Sequence, residues 1–312
     1  MAREFFSDWG RVQLKQPTVL SIGVFDGVHR GHRHLIQQLV QLAGVQNKET
    51  VVLCFHPHPD VIVKSIQGRY YLTDLKSRTA LLHELGVAKV VTVPFDEHIR
   101  RMKAEEFMAI VCERIRPAAL VQGDDFALGY HREGNISHLT RLGKQYGYVL
   151  HTAKSLRIGN AKISSQQIRS KLLAGSVEEV RDQLLGRSYS IQGKIIHGKQ
   201  RGRTLGFPTI NLLIWEEQLL PAHGTYASWA TVRGKRFMAL SNLGFRPSFR
   251  EARFTVEAFL IDFDEDIYGE TVQLSFEKYL RPEIQFSSIQ ELQKQIATDV
   301  KTGVRYLSRM SG

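Results

Sequence analysis

The chain has 312 residues, 43% of them hydrophobic and 23% charged, which is the composition of a soluble globular protein with room for two ordinary domains. No apolar run is long enough to span a membrane, and the charged amino-terminal segment lacks the apolar core of a secretory signal, so a cytoplasmic location is predicted. The two cysteines, Cys54 and Cys112, lie in apolar segments and are expected to be buried free thiols.

The formal net charge of +11 raises the question of nucleic-acid binding. The positive residues are spread along the chain, and the densest cluster, Lys199, Arg201 and Arg203, alternates with glycine rather than with aromatic residues. This pattern is more typical of a loop that binds phosphate than of a surface that stacks bases. Direct nucleic-acid binding is therefore a minority hypothesis, and anionic small molecules are the favoured ligands.

The stretch from residue 19 to residue 34 predicts a buried strand, Val19–Phe25, then a glycine turn and the start of a helix. Gly27 and Gly31 allow close approach to a ligand, and the positive end of the helix dipole favours a phosphate. His29 and His32 are three residues apart in the expected first helical turn, so both imidazoles can donate hydrogen bonds to one anion. Zinc is the weaker alternative, because no cysteine or third ligand follows at a usual spacing.

Apolar periodicity predicts four further strands and three helices in alternation, which indicates a doubly wound parallel sheet of five strands. Asp124 and Asp125 follow the fourth strand, where they could hold magnesium, bind a ring system, or cap the next turn. His56 and His58 are expected at the same edge of the sheet. The further strands are Thr50–Phe55, Val87–Phe95, Ala118–Val121 and Tyr148–Ala153; the helices are Asp74–Leu85 with Thr73 as N-cap, Ala104–Ile115 and Ile136–Tyr146.

The segment KISSQQIRSKLLAG, from Lys162 to Gly175, predicts a helix that begins after two serines. Ser164 and Ser165 are candidates for the N-cap of this helix and could equally bind phosphate oxygens; from this segment alone, capping is favoured. A further short helix is predicted from Ser176 to Leu185.

From Gly186 onward, short strands follow one another without intervening helices, which predicts an antiparallel barrel or sandwich and a domain boundary near that residue. In GKQRGRTLGFPTINL, the glycines at 198, 202 and 206 free the backbone to wrap a phosphate chain. Thr209 and Asn211 alternate with apolar residues on a strand, so their oxygens face one side and can bind magnesium. The alternative is a glycine-rich hairpin with a solvated basic face. A final helix, Ile289–Leu307, is expected to cover the barrel.

The first of these stretches resembles the signature GxFDxxHxGH of the HxGH nucleotidyltransferases, which bind ATP or CTP on a Rossmann-like sheet. The segment at residue 163 resembles the ISSTxIR motif of bacterial FAD synthetases, in which the serines and the arginine hold the triphosphate. Gln166 replaces the threonine of this motif, and ALGYHREG replaces the more usual FGxxRxG after the two aspartates. The matching residues are Gly23, Phe25, Asp26, His29, Gly31, His32, Ser164, Ser165 and Arg169.

The second half resembles the riboflavin kinases, whose signature GxxxGRxLGFPTAN is matched from Gly198 with Ile210 in place of alanine. GTYA, NLGFRPSF and DIYG follow in the family's order. The resemblance implies that Glu257 is the general base, that Thr209 and Asn211 hold Mg²⁺ with ATP, and that further residues bind ATP or substrate. Those residues are Gly198, Lys199, Arg203, Gly206 and Pro208.

Together the two signatures resemble the bacterial bifunctional riboflavin kinase/FAD synthetase family. This implies a Rossmann-like adenylyltransferase domain over residues 1–186 and a barrel kinase domain over residues 187–312, which convert riboflavin to FMN and FMN to FAD with ATP and magnesium. His29, His32, Ser164 and Arg169 would stabilise the transferring phosphate, and Asp125 and the segment Phe55–Pro59 would belong to the flavin pocket. Two alternatives remain: a kinase with a degenerate first domain, or a flavin-sensing regulator that binds RNA.

Overall fold

The computed structural model describes residues 7–198, 206–246 and 253–310, and its contacts divide the chain into two compact units, Met1–Ser165 and Gln166–Gly312. The predicted loop residues Lys199 and Arg203 lie outside the described residues. So do residues 247–249 of the predicted segment NLGFRPSF.

The first unit is built on a six-stranded sheet in which every pairing is parallel, which confirms the predicted fold class. The order of the strands is β1-β4-β3-β2-β5-β8. The prediction of five strands missed the edge strand β1, because two residues carry no periodicity. The six strands are β1 (Ser7–Asp8), β2 (Thr18–Gly23), β3 (Glu49–His56), β4 (Lys89–Pro94), β5 (Pro117–Gly123) and β8 (Val149–Ala153).

Helices connect these strands, and several short elements lie in the loops. The helices are α1 (Arg30–Gln46), α2 (Pro59–Val63), α3 (Leu75–Glu84), α4 (Glu97–Arg101), α5 (Ala104–Ile115) and α6 (Ile136–Tyr146). The small strands are β6 (Ala127–Leu128), β7 (Gly134–Asn135), β9 (Arg157–Ile158) and β10 (Ala161–Lys162), with a 3₁₀ turn at Tyr130–Arg132.

The ends of the helices show where the sequence pattern was sufficient to predict the bounds of a helix and where it was not. α5 and α6 have the predicted bounds, because apolar periodicity coincides with clear end signals such as the Asn135 side chain, which caps α6. Thr73 was wrong as the N-cap of α3: the Asp74 carboxylate accepts the Ser77 amide at 2.7 Å. Similarly, α1 begins at Arg30, and His29 is its N-cap rather than a residue of its first turn.

The hydrophobic core of this unit covers both faces of the sheet. On one face, Leu20 and Leu53 pack with Phe107 of α5, and on the other, Cys54 packs with Leu39 of α1. Burial raises the pKa of Cys54 to about 12 and that of Cys112 to about 11. Both thiols are therefore protonated at neutral pH.

The second unit contains a closed barrel of six antiparallel strands in the order β11-β12-β15-β14-β13-β16, which confirms the predicted barrel. The strands are β11 (Tyr189–Ile196), β12 (Thr209–Ile214), β13 (Gly224–Val232), β14 (Lys235–Arg246), β15 (Arg253–Leu260) and β16 (Thr271–Arg281). The helices are α7 (Ser165–Leu173), α8 (Val177–Glu179), a π-helical segment (Val180–Leu185) and α9 (Ile289–Met310).

The helix predicted over Ser176–Leu185 is thus divided into one α-helical turn and a π-helical segment. The final helix covers the barrel as predicted: Leu307 is fully buried against Ala227 and Trp229 of β13. Within the described ranges, no helix combines the length and the apolar character that crossing a bilayer requires.

Two helical glycines should respond in opposite ways to alanine. A Cβ on exposed Gly44 meets no atom within 4 Å, whereas a Cβ on Gly143 would lie 2.6 Å from the Tyr148 carbonyl oxygen. Gly44→Ala should therefore raise the free energy of unfolding of the first unit by about 0.5–1 kcal/mol, through helix propensity. Gly143→Ala should lower it by about 1–3 kcal/mol, through overpacking. Urea unfolding measures both, and equal effects would contradict the described packing.

Candidate functional site

The loop between β2 and α1 carries an unusual backbone. Phe25, Gly27 and Val28 have φ values of +54°, +79° and +37°, a region that is costly for residues with a Cβ. Two non-glycine residues in this region within one short loop indicate that the surrounding structure holds the loop in place. The loop ends at His29, the N-cap of α1.

The two motif histidines form one stacked unit at the start of α1. Their ring centroids are 3.6 Å apart at an interplanar angle of 14°, and Nδ1 of His29 accepts the His32 amide at 3.2 Å. Because Nδ1 is the acceptor, the proton of a neutral His29 imidazole lies on Nε2. Gly31 makes room for this ring, since a Cβ there would lie 3.1 Å from Cε1 of His29.

Asp26 is buried, and its carboxylate is directed at the protein. It accepts the amides of Leu72 and Thr73, each at 3.1 Å, and the guanidinium of Arg78 at 3.5 Å. The Ser165 hydroxyl donates to the Asp26 carbonyl oxygen at 2.9 Å. Asp26 therefore connects the loop between β2 and α1 (residues 24–29, the histidine loop) to two distant segments of the unit.

A cavity of about 700 Å³ opens at the carboxyl ends of four parallel strands. Its wall includes the two motif imidazoles, Ser164, and Ser165, which is the first residue of α7. The wall also includes an aromatic group, in which Phe55 contacts Phe95 and Phe107 with ring centroids 5.6 and 5.7 Å apart. The structure brings together these predicted site residues on the cavity wall: Gly23, Phe25, Asp26, His29, His32, Asp125, Ser164 and Ser165.

The two aspartates after β5 have separate partners. Asp124 accepts the Ser155 hydroxyl at 2.5 Å, and this hydrogen bond lowers its pKa. Asp125 pairs with Lys162 at 2.5 Å on the cavity wall. Within the part of the chain that the structure describes, no group of three or more His, Cys, Asp or Glu side chains is arranged to hold a metal. Of the two carboxylates, Asp125 lines the first cavity, and Asp124 is held by Ser155.

A second cavity, of about 390 Å³, lies in the barrel unit and contains Thr209 and Glu257. In the β12–β15 ladder Asn211 is directly opposite Glu257, and in the β14–β15 ladder Asn242 is opposite Glu257 on its other side. Because paired residues share a face of the sheet, the carboxylate is flanked by two amide side chains. A Cβ on Gly198 would overlap Nδ2 of Asn211, so this glycine makes room for the Asn211 side chain.

Helix α9 closes one side of this second cavity. Asp299 of α9 accepts a hydrogen bond at 2.9 Å from Nε of Arg281, at the end of β16, and its carboxylate forms an ion pair with Nη2 of Arg281 at 2.8 Å. Leu292 and Ile296 of the same helix supply apolar wall. A flat, largely apolar ligand could therefore lie between the barrel and α9, with its polar end toward Glu257.

Other predicted site residues are placed less directly. Arg169 is buried on α7, in the second compact unit, while Gly206 and Pro208 are exposed ahead of β12. Sequence reasoning missed Gln122, a buried polar residue at the end of β5 that lines the first cavity. It also missed Asn242, whose presence in NLGFRPSF was the available signal, and the pair Arg281–Asp299, for which the sequence offers none.

These two cavities define the class of protein: a transferase with one site for phosphorylated nucleotides on a Rossmann-like sheet and another beside a carboxylate on a barrel. Comparison with known proteins agrees. Residues 12–167 match the family described as FAD synthetase, and residues 185–307 match the family described as riboflavin kinase.

Curated relatives extend over nearly the whole chain. The bifunctional riboflavin kinase/FMN adenylyltransferase of Escherichia coli K12 is 35% identical over 91% of both chains, and that of Listeria monocytogenes is 33% identical over 90% of both. A crystal structure titled as a macrolide-efflux protein from Streptococcus pneumoniae has 25% identity and a TM-score of 0.87, covering 96% of this chain and 98% of that one.

The chain belongs to the family of bifunctional riboflavin kinase/FMN adenylyltransferases. It is an enzyme that phosphorylates riboflavin to FMN and transfers AMP from ATP to FMN, which yields FAD and pyrophosphate.

Replacing either of two glycines by alanine should lower one of the two activities and leave the other unchanged. Gly31→Ala places a Cβ 3.1 Å from Cε1 of His29, so the ring must shift slightly. This should lower FMN adenylylation several-fold, because a displacement of about 1 Å costs about 100-fold in catalysis by positioning. Gly198→Ala displaces Asn211 and should lower riboflavin phosphorylation to a similar extent. Each variant should keep the other activity, as measured by separate chromatographic assays with riboflavin or FMN, with Gly44→Ala as the neutral control. Loss of both activities in either variant would contradict the expectation that adenylylation depends on the first cavity and phosphorylation on the second.

Proposed function

We propose that residues 1–186 carry the adenylyltransferase and residues 187–312 the kinase, with adenylylation assigned to the first cavity and phosphorylation to the second. The family matches at 12–167 and 185–307 support this division. The observation that carries the assignment of the first cavity is the composition of its wall. Histidine and serine side chains suit the phosphates of ATP and FMN, and phenylalanine side chains suit the isoalloxazine ring.

In adenylylation, a phosphate oxygen of FMN attacks the α-phosphorus of ATP, and the bond to pyrophosphate breaks. Charge accumulates on the phosphoryl oxygens, so fixed hydrogen-bond donors lower the barrier. Nε2–H of His29 is such a donor, because Nδ1 is held by the His32 amide. We assign His32 and Ser164 to the same group of donors, on their place in the cavity wall, and Arg169 on its match to the ISSTxIR motif. No covalent enzyme intermediate is required.

In phosphorylation, Glu257 takes the proton of the 5′-hydroxyl of riboflavin while the hydroxyl oxygen attacks the γ-phosphorus and ADP leaves. The cation that accompanies ATP is assigned to Thr209 and Asn211. Their hydroxyl and amide oxygens, beside the Glu257 carboxylate, fit Mg²⁺, which prefers oxygen ligands. Such a cation neutralises phosphate charge when bound. Gly198, Lys199, Arg203, Gly206 and Pro208 are assigned to ATP binding on the match to the kinase signature.

Two further assignments complete the proposal. Both cysteines are free thiols, which is typical of a reducing compartment, so we place the enzyme in the cytoplasm. Its partners are then small molecules: riboflavin, FMN and ATP. Nucleic acid is not required by either cavity.

The test is an end-point assay with riboflavin, excess ATP and magnesium, with the flavins separated by chromatography. We expect wild type to form FAD, His29→Ala to stop at FMN, and Glu257→Gln to leave riboflavin unconverted while still adenylylating added FMN. The matched controls are the exposed residues His151 and Glu217, changed to Ala and Gln.

Each outcome bears on a different part of the proposal. FAD formation by His29→Ala at the wild-type rate would contradict the first site, and phosphorylation by Glu257→Gln would contradict the base. If the wild type stopped at FMN, the first variant to make would be Gln166→Thr, which restores the threonine of the ISSTxIR motif.

A further inference from the structure

Arg78 is the largest of the fully buried side chains, with 0% of its surface exposed. It lies on α3, outside the wall of the first cavity, and neither the motifs nor the two proposed mechanisms use it. Arginine is almost never fully buried unless partners satisfy its charge and its donors. What those partners are therefore indicates what the residue does.

The guanidinium of Arg78 holds both ends of a small polar network. Nη1 donates to the Val24 carbonyl oxygen at 3.0 Å, and Nη2 donates to the Thr73 carbonyl oxygen at 3.2 Å and lies 3.5 Å from Oδ1 of Asp26. Thr73 completes the network: its hydroxyl donates to Asp26 at 3.3 Å and accepts the Gly27 amide at 3.1 Å. Three positions of the histidine loop, Val24, Asp26 and Gly27, are thereby attached to residues 72–78.

These attachments fall on the part of the loop with unfavourable backbone geometry. Phe25 and Val28, the two non-glycine residues with positive φ, alternate with the residues that are held. A loop with such backbone angles keeps its conformation only where surrounding contacts determine it. The next residue, His29, caps α1 and stacks on His32, so a shift of the loop would move both imidazoles.

We propose that Arg78 is a positioning residue for FMN adenylylation: with Thr73 and Asp26 it holds the loop that sets the His29 and His32 imidazoles in the cavity. The proposal rests on the assignment of adenylylation to this cavity. Arg78 acts through the loop and does not touch substrate. The same packing explains why the geometry needs a branched donor, since its two amino groups serve two different carbonyl oxygens.

The test compares Arg78→Met, Arg78→Lys and Thr73→Val, with Arg141→Met on the exposed face of α6 as the matched control. For each variant, kcat and KM are measured for adenylylation of FMN, and riboflavin phosphorylation is measured as an internal control in the same chain. We expect Arg78→Met to lower kcat of adenylylation about 10- to 100-fold with little change in KM for FMN, since the imidazoles move while the apolar wall stays. Arg78→Lys keeps the positive charge but has one nitrogen where Arg78 uses two, so it should recover only part of the loss.

Thr73→Val removes one hydroxyl with little change in the shape of the side chain, and it should lower kcat of adenylylation several-fold while riboflavin phosphorylation keeps the parent rate. The proposal is overturned if Arg78→Met is folded and turns over at the parent rate. It is also overturned if Arg78→Met is unfolded while Thr73→Val keeps the parent kcat, because the network would then serve stability alone. A result in which His29→Ala is inactive but these variants are active would reject this inference and leave the assignment of the cavity intact.

Discussion

The contacts of the Asp26 carboxylate are the interaction on which the geometry of the first candidate site depends. It is nearly inaccessible to solvent and binds two amides, a hydroxyl and a guanidinium, all contributed by residues 72–78. A buried carboxylate is stable only with such a set of donors, because desolvation of its charge is otherwise expensive. Its position fixes the loop that follows β2, and the loop fixes the cap of α1. The imidazoles, which face the cavity, are the last members of this chain of contacts.

The barrel holds its functional side chains in place in a different way. The carboxylate of Glu257, the proposed base, is placed by the register of three strands, which brings Asn211 and Asn242 to either side of it. Closure of the barrel leaves no freedom to slip by one residue without turning these side chains outward. One unit thus holds its reactive groups through a buried polar network on a loop, and the other through the regular hydrogen bonds of a sheet.

Much of this architecture could be predicted from the sequence, because long elements carry periodicity. α5 and α6 have the predicted bounds, and the change from alternating helices and strands to strands alone marks where the second fold begins. Prediction was poorest where contacts are distant. The partners of the Asp26 carboxylate lie 46–52 residues away, and no pattern in the sequence indicated them. Asp74, not Thr73, caps α3, because the Thr73 hydroxyl is already hydrogen-bonded to Asp26 and to the Gly27 amide.

The most direct test of this account is the tautomer of His29, measured by ¹⁵N–¹H NMR of the histidine side chains at neutral pH, with His29→Ala to assign the signal. The cap of α1 requires an unprotonated Nδ1 that accepts the His32 amide, so the proton should lie on Nε2, where it can be donated to phosphate. A neutral imidazole protonated at Nδ1 would contradict the account, since the cap and the donor to the phosphate would both be lost.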